Sequence, residues 1–335
     1  MTDLPPLAAL LERAHVIAIP MRVRFRGVDV REAVVFEGPA GWGEFAPFPE
    51  YGDEEAARWL AAGIEEAYAA RPAPVRDAVP VNATVPAVQP ERVPEVLSRF
   101  EGCTTAKIKV AEPGQTLRDD LNRLAAVRDA MGPNARIRID ANGAWDVETA
   151  TEALRRSAVY GIEYAEQPCA TVDELADLRT ALARNAIDIP IAADESIRKA
   201  EDPILVARKG AADLVVVKVA PLGGIVRALE IVEECGLPAV VSSALDTSIG
   251  ISAGVALAAA LPALEHACGL GTVGLFARDI AGEPMRPEGG LLRPRRVTAE
   301  PEALTALAAA PERRQWWRER MARCHALLDH AGVPR

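Results

Sequence analysis

At 335 residues, half of them hydrophobic and 26% charged, the chain has a globular composition and enough length for one large domain plus a smaller one. Lys and Arg total 38 against 48 Asp and Glu, a formal net charge of −10, which argues against nucleic acid or an anionic membrane as partner. No apolar run approaches the ~20 residues of a membrane span. The start, MTDLPPLAALLERAH, has no basic leader segment, and five scattered cysteines form no CxxC, so a signal peptide, a disulfide framework and zinc are not expected and the chain reads as cytoplasmic.

Residues 1–78 read as an α+β region. HVIAIPMRVRF, REAVVFEG and GWGEFAP have the look of short strands in an antiparallel meander. DEEAARWLAAGIEEAYAA has helical spacing, with an aspartate as its expected N-cap, and the proline-rich RPAPVRDAVP marks a boundary near residue 78.

From residue 79 strands and helices alternate. VPVNATV precedes PERVPEVLSRF, TTAKIKV precedes TLRDDLNRLAAVRDAMG, and ARIRID precedes VETATEALRRSAVYG. IEYAEQP, IPIAADE, ADLVVVKVA and PAVVSSAL are each followed by a helical stretch, and LEHACGL is an eighth strand with no amphipathic helix directly behind it. Alternation of this kind implies right-handed βαβ units and a parallel sheet, and eight strands close a barrel. The expected fold is therefore α/β: a (β/α)7β modified TIM barrel over residues 79–275, with an α+β capping domain. Residues 276–335 complete that cap, through a short strand at GGLLRPRR and one or two helices in PEALTALAAAPERRQWWRERMARCHALLDHAG.

The chemistry sits at the strand ends. Asp140 ends RIRID, Glu166 ends IEYAE and Asp194 ends IPIAAD, on the third, fourth and fifth strands. Barrel sites form at the C-terminal ends of strands, and neighbours lie about 4.8 Å apart, so these carboxylates can converge on one cation. Oxygen-only ligation favours Mg²⁺ over zinc, with Mn²⁺ a plausible substitute. Lys107 and Lys109 in AKIKV both face inward from the second strand, and Lys218 in LVVVK lies on the sixth, four strands around. A substrate carboxylate on the metal would place its α-carbon between the lysines. The metal would acidify the α-proton, and a lysine crowded by other cations can serve as the base.

Taken singly, a strand lysine is usually a snorkelling or edge residue and an aspartate after a strand usually a cap. Five such charges in strand register are not explained that way. Asn142 is either a turn residue or part of the site, and Arg138 either a structural ion-pair partner or substrate-facing. His266 reads as a neutral core histidine, with no carboxylate partner visible nearby. Gly223-Gly224 reads as a tight turn more simply than as a phosphate site. No GxGxxG follows a strand, and no HExxH or Ser-His-Asp signature is present.

At KIK, RIDANGAW, EQP, ADES and LVVVKVAPLGG the chain resembles the enolase superfamily, specifically its muconate-lactonizing subgroup. Members of that superfamily use Lys or His bases with Mg²⁺. The resemblance implies that Lys109 is the acid/base catalyst, that Lys218 is the opposed catalytic lysine, that Asp140, Glu166 and Asp194 bind Mg²⁺, and that cap loops around 17–26 and 43–52 set specificity. Within the subgroup SSALDTSIG, ACGLGT and the short length resemble the compact actinobacterial o-succinylbenzoate synthase family of menaquinone biosynthesis. The implied reaction is loss of water from 2-succinyl-6-hydroxy-2,4-cyclohexadiene-1-carboxylate through an enediolate. Ser243, with the helix start at Ser248, Ile249 and Gly250, offers donors for the succinyl tail; ordinary capping by Thr247 or Ser248 is the equal alternative.

Rival readings are an N-succinylamino-acid racemase, a muconate cycloisomerase and an inactive scaffold. A dipeptide epimerase would resemble others of its kind in an Asp-x-Asp where this chain has Cys268-Gly269-Leu270-Gly271. The expected partner is a small-molecule carboxylate. The subgroup includes octamers, but the compact synthases resemble monomers, and a monomer is slightly favoured.

Overall fold

The computed structural model describes residues 4–198 and 203–330. A short helix α1 (Leu7–Glu12), absent from the sequence reading, precedes the three-stranded antiparallel sheet β1 (Ala14–Phe25), β2 (Val28–Gly38) and β3 (Gly41–Phe45). Helix α2 (Asp53–Tyr68) covers that sheet. Its N-cap is Gly52 rather than the expected aspartate, and Asp53, Glu54 and Glu55 occupy the first turn, where negative charge suits the helix dipole.

The barrel begins with β4 (Val79–Pro80), β5 (Ala83–Val85) and α3 (Val93–Leu97). It continues through β6 (Thr105–Lys109), α4 (Leu117–Met131), β7 (Arg136–Asp140), α5 (Val147–Ser157), β8 (Ile162–Glu166), α6 (Val172–Arg184) and β9 (Ile191–Ala193). Two short helices, α7 (Glu195–Arg198) and α8 (Leu205–Arg208), stand where one was expected. Then come β10 (Leu214–Val217), α9 (Val219–Leu222), α10 (Ile225–Cys235), β11 (Ala239–Val241) and α11 (Ser248–Ala260). The seven parallel strands run β11-β10-β9-β8-β7-β6-β5. The eighth is reduced to single bridges, Val81 with Cys268 and Ser242 with Gly269, which close the ring.

Alternation explains which side chains point where. Ile137 and Ile139 of β7 join the apolar layer between sheet and helices, while Arg138 and Asp140 point into the barrel. Helices α4 and α6 each start with a capping box, Thr116–Asp119 and Thr171–Glu174, which fixes where the strand-to-helix loops end.

After the barrel, β12 (Leu291–Leu292) pairs antiparallel with β4, and α12 (Pro301–Ala306) and α13 (Pro311–His330) return to the cap. Trp317 is fully buried edge-on against Phe45, 5.8 Å between ring centres, and donates its indole N–H to Glu32. Among the described residues no helix is long and apolar enough to cross a membrane.

Two carboxylates fasten the cap to the barrel. Glu65 of α2 accepts the backbone N–H of Ile225 at 2.7 Å, at the start of α10. Gly224 has φ +142°, which side chains rarely adopt, and a Cβ there would lie 2.0 Å from the Glu65 carboxylate and push it off the helix start. Glu44 of β3 does the same at α11, accepting N–H groups of Thr247 and Gly250, each at 3.1 Å.

Candidate active site

At the C-terminal mouth of the barrel β6, β7 and β8 stand in register: Lys109 is paired with Asp140 and Asp140 with Glu166. Asp194 follows the end of β9, next in the sheet. All three carboxylates are essentially buried. Lys109 Nζ donates to Asp140 and to Asn142 Oδ1, both at 2.5 Å. Lys107 Nζ lies 2.7 Å from Glu166 and 3.3 Å from Asp140. Lys218, immediately after β10, donates to Asp194 at 2.5 Å. The carboxylates thus form a row with Lys109 at one end and Lys218 at the other.

The electrostatics follow from that packing. Burial opposes charge on Lys107, but Glu166 and Asp140 outweigh it and hold the ammonium above the usual lysine range. Burial would raise Asp140; Lys109 and Lys107 reverse this and hold it well below the carboxylate range. Glu166 is pushed up to about 7 by burial and by Asp140 beside it.

The donor set fits a hard divalent cation. Glu166 Oε2 is buried and without a hydrogen-bond partner, and Asp194 Oδ1 has only the Arg198 guanidinium at 3.3 Å, out of hydrogen-bond geometry, an expensive arrangement unless something else occupies their lone pairs. Among the described residues no three acidic, His or Cys side chains are drawn to a single point suited to a metal. The ammonium groups of Lys107, Lys109 and Lys218 lie on the carboxylates instead, and an ion would have to displace part of those pairs.

Several supporting residues carried no signal in the sequence. Gln167, in the left-handed region at φ +39°, accepts the N–H groups of Asp194 and Ser196 through Oε1 and so fixes the third carboxylate. Arg198 lies 3.3 Å from Asp194, bonds Glu195 at 2.6 Å, and donates to Tyr51 Oη at 3.2 Å. The EQP and ADES motifs contain Gln167 and Arg198's neighbours, but nothing in them reveals these bonds. Lys107, Lys109, Asp140, Asn142, Lys218 and Ser243 line a cleft of about 530 Å³, whose outer wall is Phe25, Arg26, Phe48 and Tyr51 of the cap. The two expected cap loops therefore reach the cleft; the first is mostly strand β1, with only its tip forming a turn.

Other candidates lie elsewhere. Arg138 is fully buried below the mouth, bonded to Glu163 at 2.5 Å and stacked 4.6 Å over Tyr164; its bonds are structural and it does not line the cleft. His266 does have a carboxylate partner, Glu163, at 3.1 Å from Nδ1, because the barrel brings together residues 103 apart. Burial would raise Glu163, but His266 and Arg138 hold it down at about 2. The start of α11 is not open to a substrate tail: the Thr247 and Gly250 N–H groups go to Glu44, Ser248 N–H to Asp279, and Ile249 N–H to the Thr247 hydroxyl. Ser243 does line the cleft, although its hydroxyl is bonded to the Gly269 carbonyl at 2.9 Å.

A cap of this kind over a barrel whose strand ends carry a lysine–carboxylate row defines the enolase class, and the chain belongs to that family: residues 92–298 match the enolase C-terminal domain-like family and residues 16–67 the enolase N-terminal domain-like family. The chain is 57% identical over 325 residues to the o-succinylbenzoate synthase of Mycolicibacterium smegmatis, covering 97% of this chain and 98% of that protein. It is 56% identical over 326 residues to the o-succinylbenzoate synthase of Mycobacterium tuberculosis, covering 97% of both. In fold it is similar to the muconate lactonizing enzyme of Pseudomonas fluorescens, with TM-score 0.74, 21% identity and coverage of 89% and 98%. It is also similar to an N-succinyl Arg/Lys racemase of Bacillus cereus, with TM-score 0.72, 19% identity and coverage of 89% and 97%.

Proposed function

We propose that the protein is a Mg²⁺-dependent o-succinylbenzoate synthase, a hydro-lyase that dehydrates 2-succinyl-6-hydroxy-2,4-cyclohexadiene-1-carboxylate. The carrying observation is near full-length identity of 56–57% to proteins of that name. The row of Asp140, Glu166 and Asp194 between Lys109 and Lys218 supports the same chemistry. Asp140, Glu166 and Asp194 would hold the metal, which when bound supplies positive charge to the substrate carboxylate.

Lys109, in its amine form, takes the proton from the ring carbon that bears the carboxylate. The electron pair left behind spreads into that carboxylate as an enediolate. The Lys109 ammonium then passes the same proton to the neighbouring hydroxyl, which leaves as water while the pair forms the new ring double bond. Lys109 returns to its starting state and the ring becomes aromatic. Lys218, held by Asp194, stays a fixed cation on the opposite side. Lys107 favours the ionised forms of Asp140 and Glu166, and Asn142 orients Lys109 through the bond to its Oδ1. With Lys109 in its amine form, Lys107, Lys218 and Arg198 offset all but one of the charges on Asp140, Glu166, Asp194 and Glu195, so a bound divalent ion would leave an excess of positive charge that suits an anionic substrate.

A racemase reading draws on the same opposed lysines. Comparison of kcat/KM for the cyclohexadiene and for N-succinyl amino acids separates the two, and a large preference for the amino acids would replace the synthase reading. The proposal extends to a monomer in the cytoplasm, in keeping with the compact length; sedimentation and cell fractionation test those parts.

A further inference from the structure

We infer that Arg26, at the tip of the β1–β2 hairpin, is the receptor for the second, distal carboxylate of the substrate, and that it selects acids carrying a carboxylate on a short tail. This rests on the synthase reading for the identity of the tail, but the selectivity is a property of the cleft.

A dianion needs two anion sites. One lies at the metal row. The start of α11 cannot supply the other, because Glu44 and Asp279 already take its N–H groups. The cations lining the cleft are Arg26, Lys107, Lys109, Arg198 and Lys218. Four of them are committed: Lys107 to Glu166 and Asp140, Lys109 to Asp140, Lys218 to Asp194, and Arg198 to Asp194 and Glu195. Arg26 differs. Its nearest carboxylate is Glu50 at 3.8 Å, beyond hydrogen-bond distance, and Glu50 is 61% exposed at the rim. A pair of that kind contributes little and yields readily to a better anion.

The guanidinium is nonetheless held in place. Arg26 and Gly27 have φ +52° and +73°, the signature of a tight two-residue hairpin turn, closed by the pairing of Phe25 with Val28. The side chain stacks 4.0 Å over the Phe48 ring, and Nη2 donates to Tyr51 Oη at 2.6 Å. Arg198, bonded to the same Tyr51 hydroxyl, connects the arm to Asp194. The Nε and Nη1 edges of Arg26 make no hydrogen bond within the described residues. They present a planar fork of the shape that grips a carboxylate through two parallel bonds. Phe25, next to it on the tip, lies 5.4 Å from Lys109 Nζ, so the hairpin that offers the cation also covers the reacting end of the cleft.

The test uses the Mg²⁺-loaded full-length protein and two probes that differ only at the tail end: 2-succinylbenzoate, and 2-butyrylbenzoate, in which a methyl group replaces the distal carboxylate. Calorimetry should show the unmodified protein preferring the dicarboxylate, and Arg26→Gln should remove about 10- to 100-fold of that preference. KM for the cyclohexadiene should rise by a similar factor with a smaller change in kcat, and Arg26→Lys should restore part of both. An unchanged thermal midpoint separates these effects from misfolding. Full retention of the preference in Arg26→Gln would overturn the assignment while leaving the synthase reading intact. Failure of the unmodified protein to dehydrate the cyclohexadiene, with the Arg26-dependent preference still present, would overturn the synthase reading and leave the arm standing.

Discussion

Glu44, on the last strand of the cap sheet, accepts both the backbone N–H and the hydroxyl of Thr247, the N-cap of barrel helix α11. Together with Glu65 of α2, which accepts the first N–H of α10, it makes helix N-termini the latches between the two domains. Arg31 adds a third tie, donating from a buried position to the carbonyls of Leu245 at 3.0 Å and Ala244 at 3.2 Å.

The latch is sensitive to pH. Burial and then Asp246 push Glu44 up to about 7 from its ordinary 4.5, although Thr247 and Arg31 pull the other way. The folded protein therefore keeps a proton that the unfolded chain has released between those pH values. The contribution is fully present below about 4.5 and is lost as pH rises through about 7. Against Glu44→Gln, whose amide does not titrate, the unmodified protein should lose up to about 3 kcal/mol between pH 4.5 and 8. Chemical denaturation of both at the two pH values reads the difference, and parallel curves would refute it.

Metal removal should be decisive for activity. Excess chelator should abolish dehydration and Mg²⁺ should restore it, with Mn²⁺ able to replace it. Glu166→Gln removes one ligand charge and the ion-pair partner of Lys107, and should weaken Mg²⁺ binding by at least about tenfold, with turnover falling alongside. Titration of metal by calorimetry and assay in parallel checks both; full activity in chelator would refute the metal assignment.

For Lys109→Ala the expectation is a loss of about 10³-fold or more in kcat, because one group carries both proton transfers. Exchange of the substrate's α-proton with deuterated solvent should vanish with it. Persistent exchange in that variant would give the base role to another residue.

At Lys218 the prediction separates two chemistries. Lys218→Arg keeps a cation beside Asp194 but carries protons poorly. Racemisation of an N-succinyl amino acid, which needs a proton carrier on each face, should fall at least about tenfold further than dehydration. Equal losses in both kcat/KM values would mean that Lys218 moves protons in both reactions.

The barrel and its charged row were legible because five consecutive strands, β6 to β10, are apolar runs ended by a charge, and period-two alternation tells which side chains face inward. Asp140, Glu166, Lys107 and Lys109 sit where that alternation puts them. The latches were not legible, since Glu44 and Thr247 are 203 residues apart and nothing local marks them as partners. The same blindness misplaced the tail site: Ser248, Ile249 and Gly250 form a donor-rich helix start, but the anions that fill it come from the cap and from Asp279. Arg138 shares a strand face with Asp140, yet Glu163 and the Ala267 carbonyl hold it beneath the mouth.

The C-terminal helix α13 packs Trp317 against Phe45 and closes Glu32 between Trp317 and Arg313. The cap sheet thus waits for residues that follow the whole barrel in the chain. During synthesis the barrel strands are made before the cap's apolar interior has its final wall, so the nascent chain carries an open cap sheet until α13 has emerged. Early termination anywhere in 311–330 would leave a finished barrel under an unsealed cap, a form that quality-control proteases and chaperones are equipped to recognise.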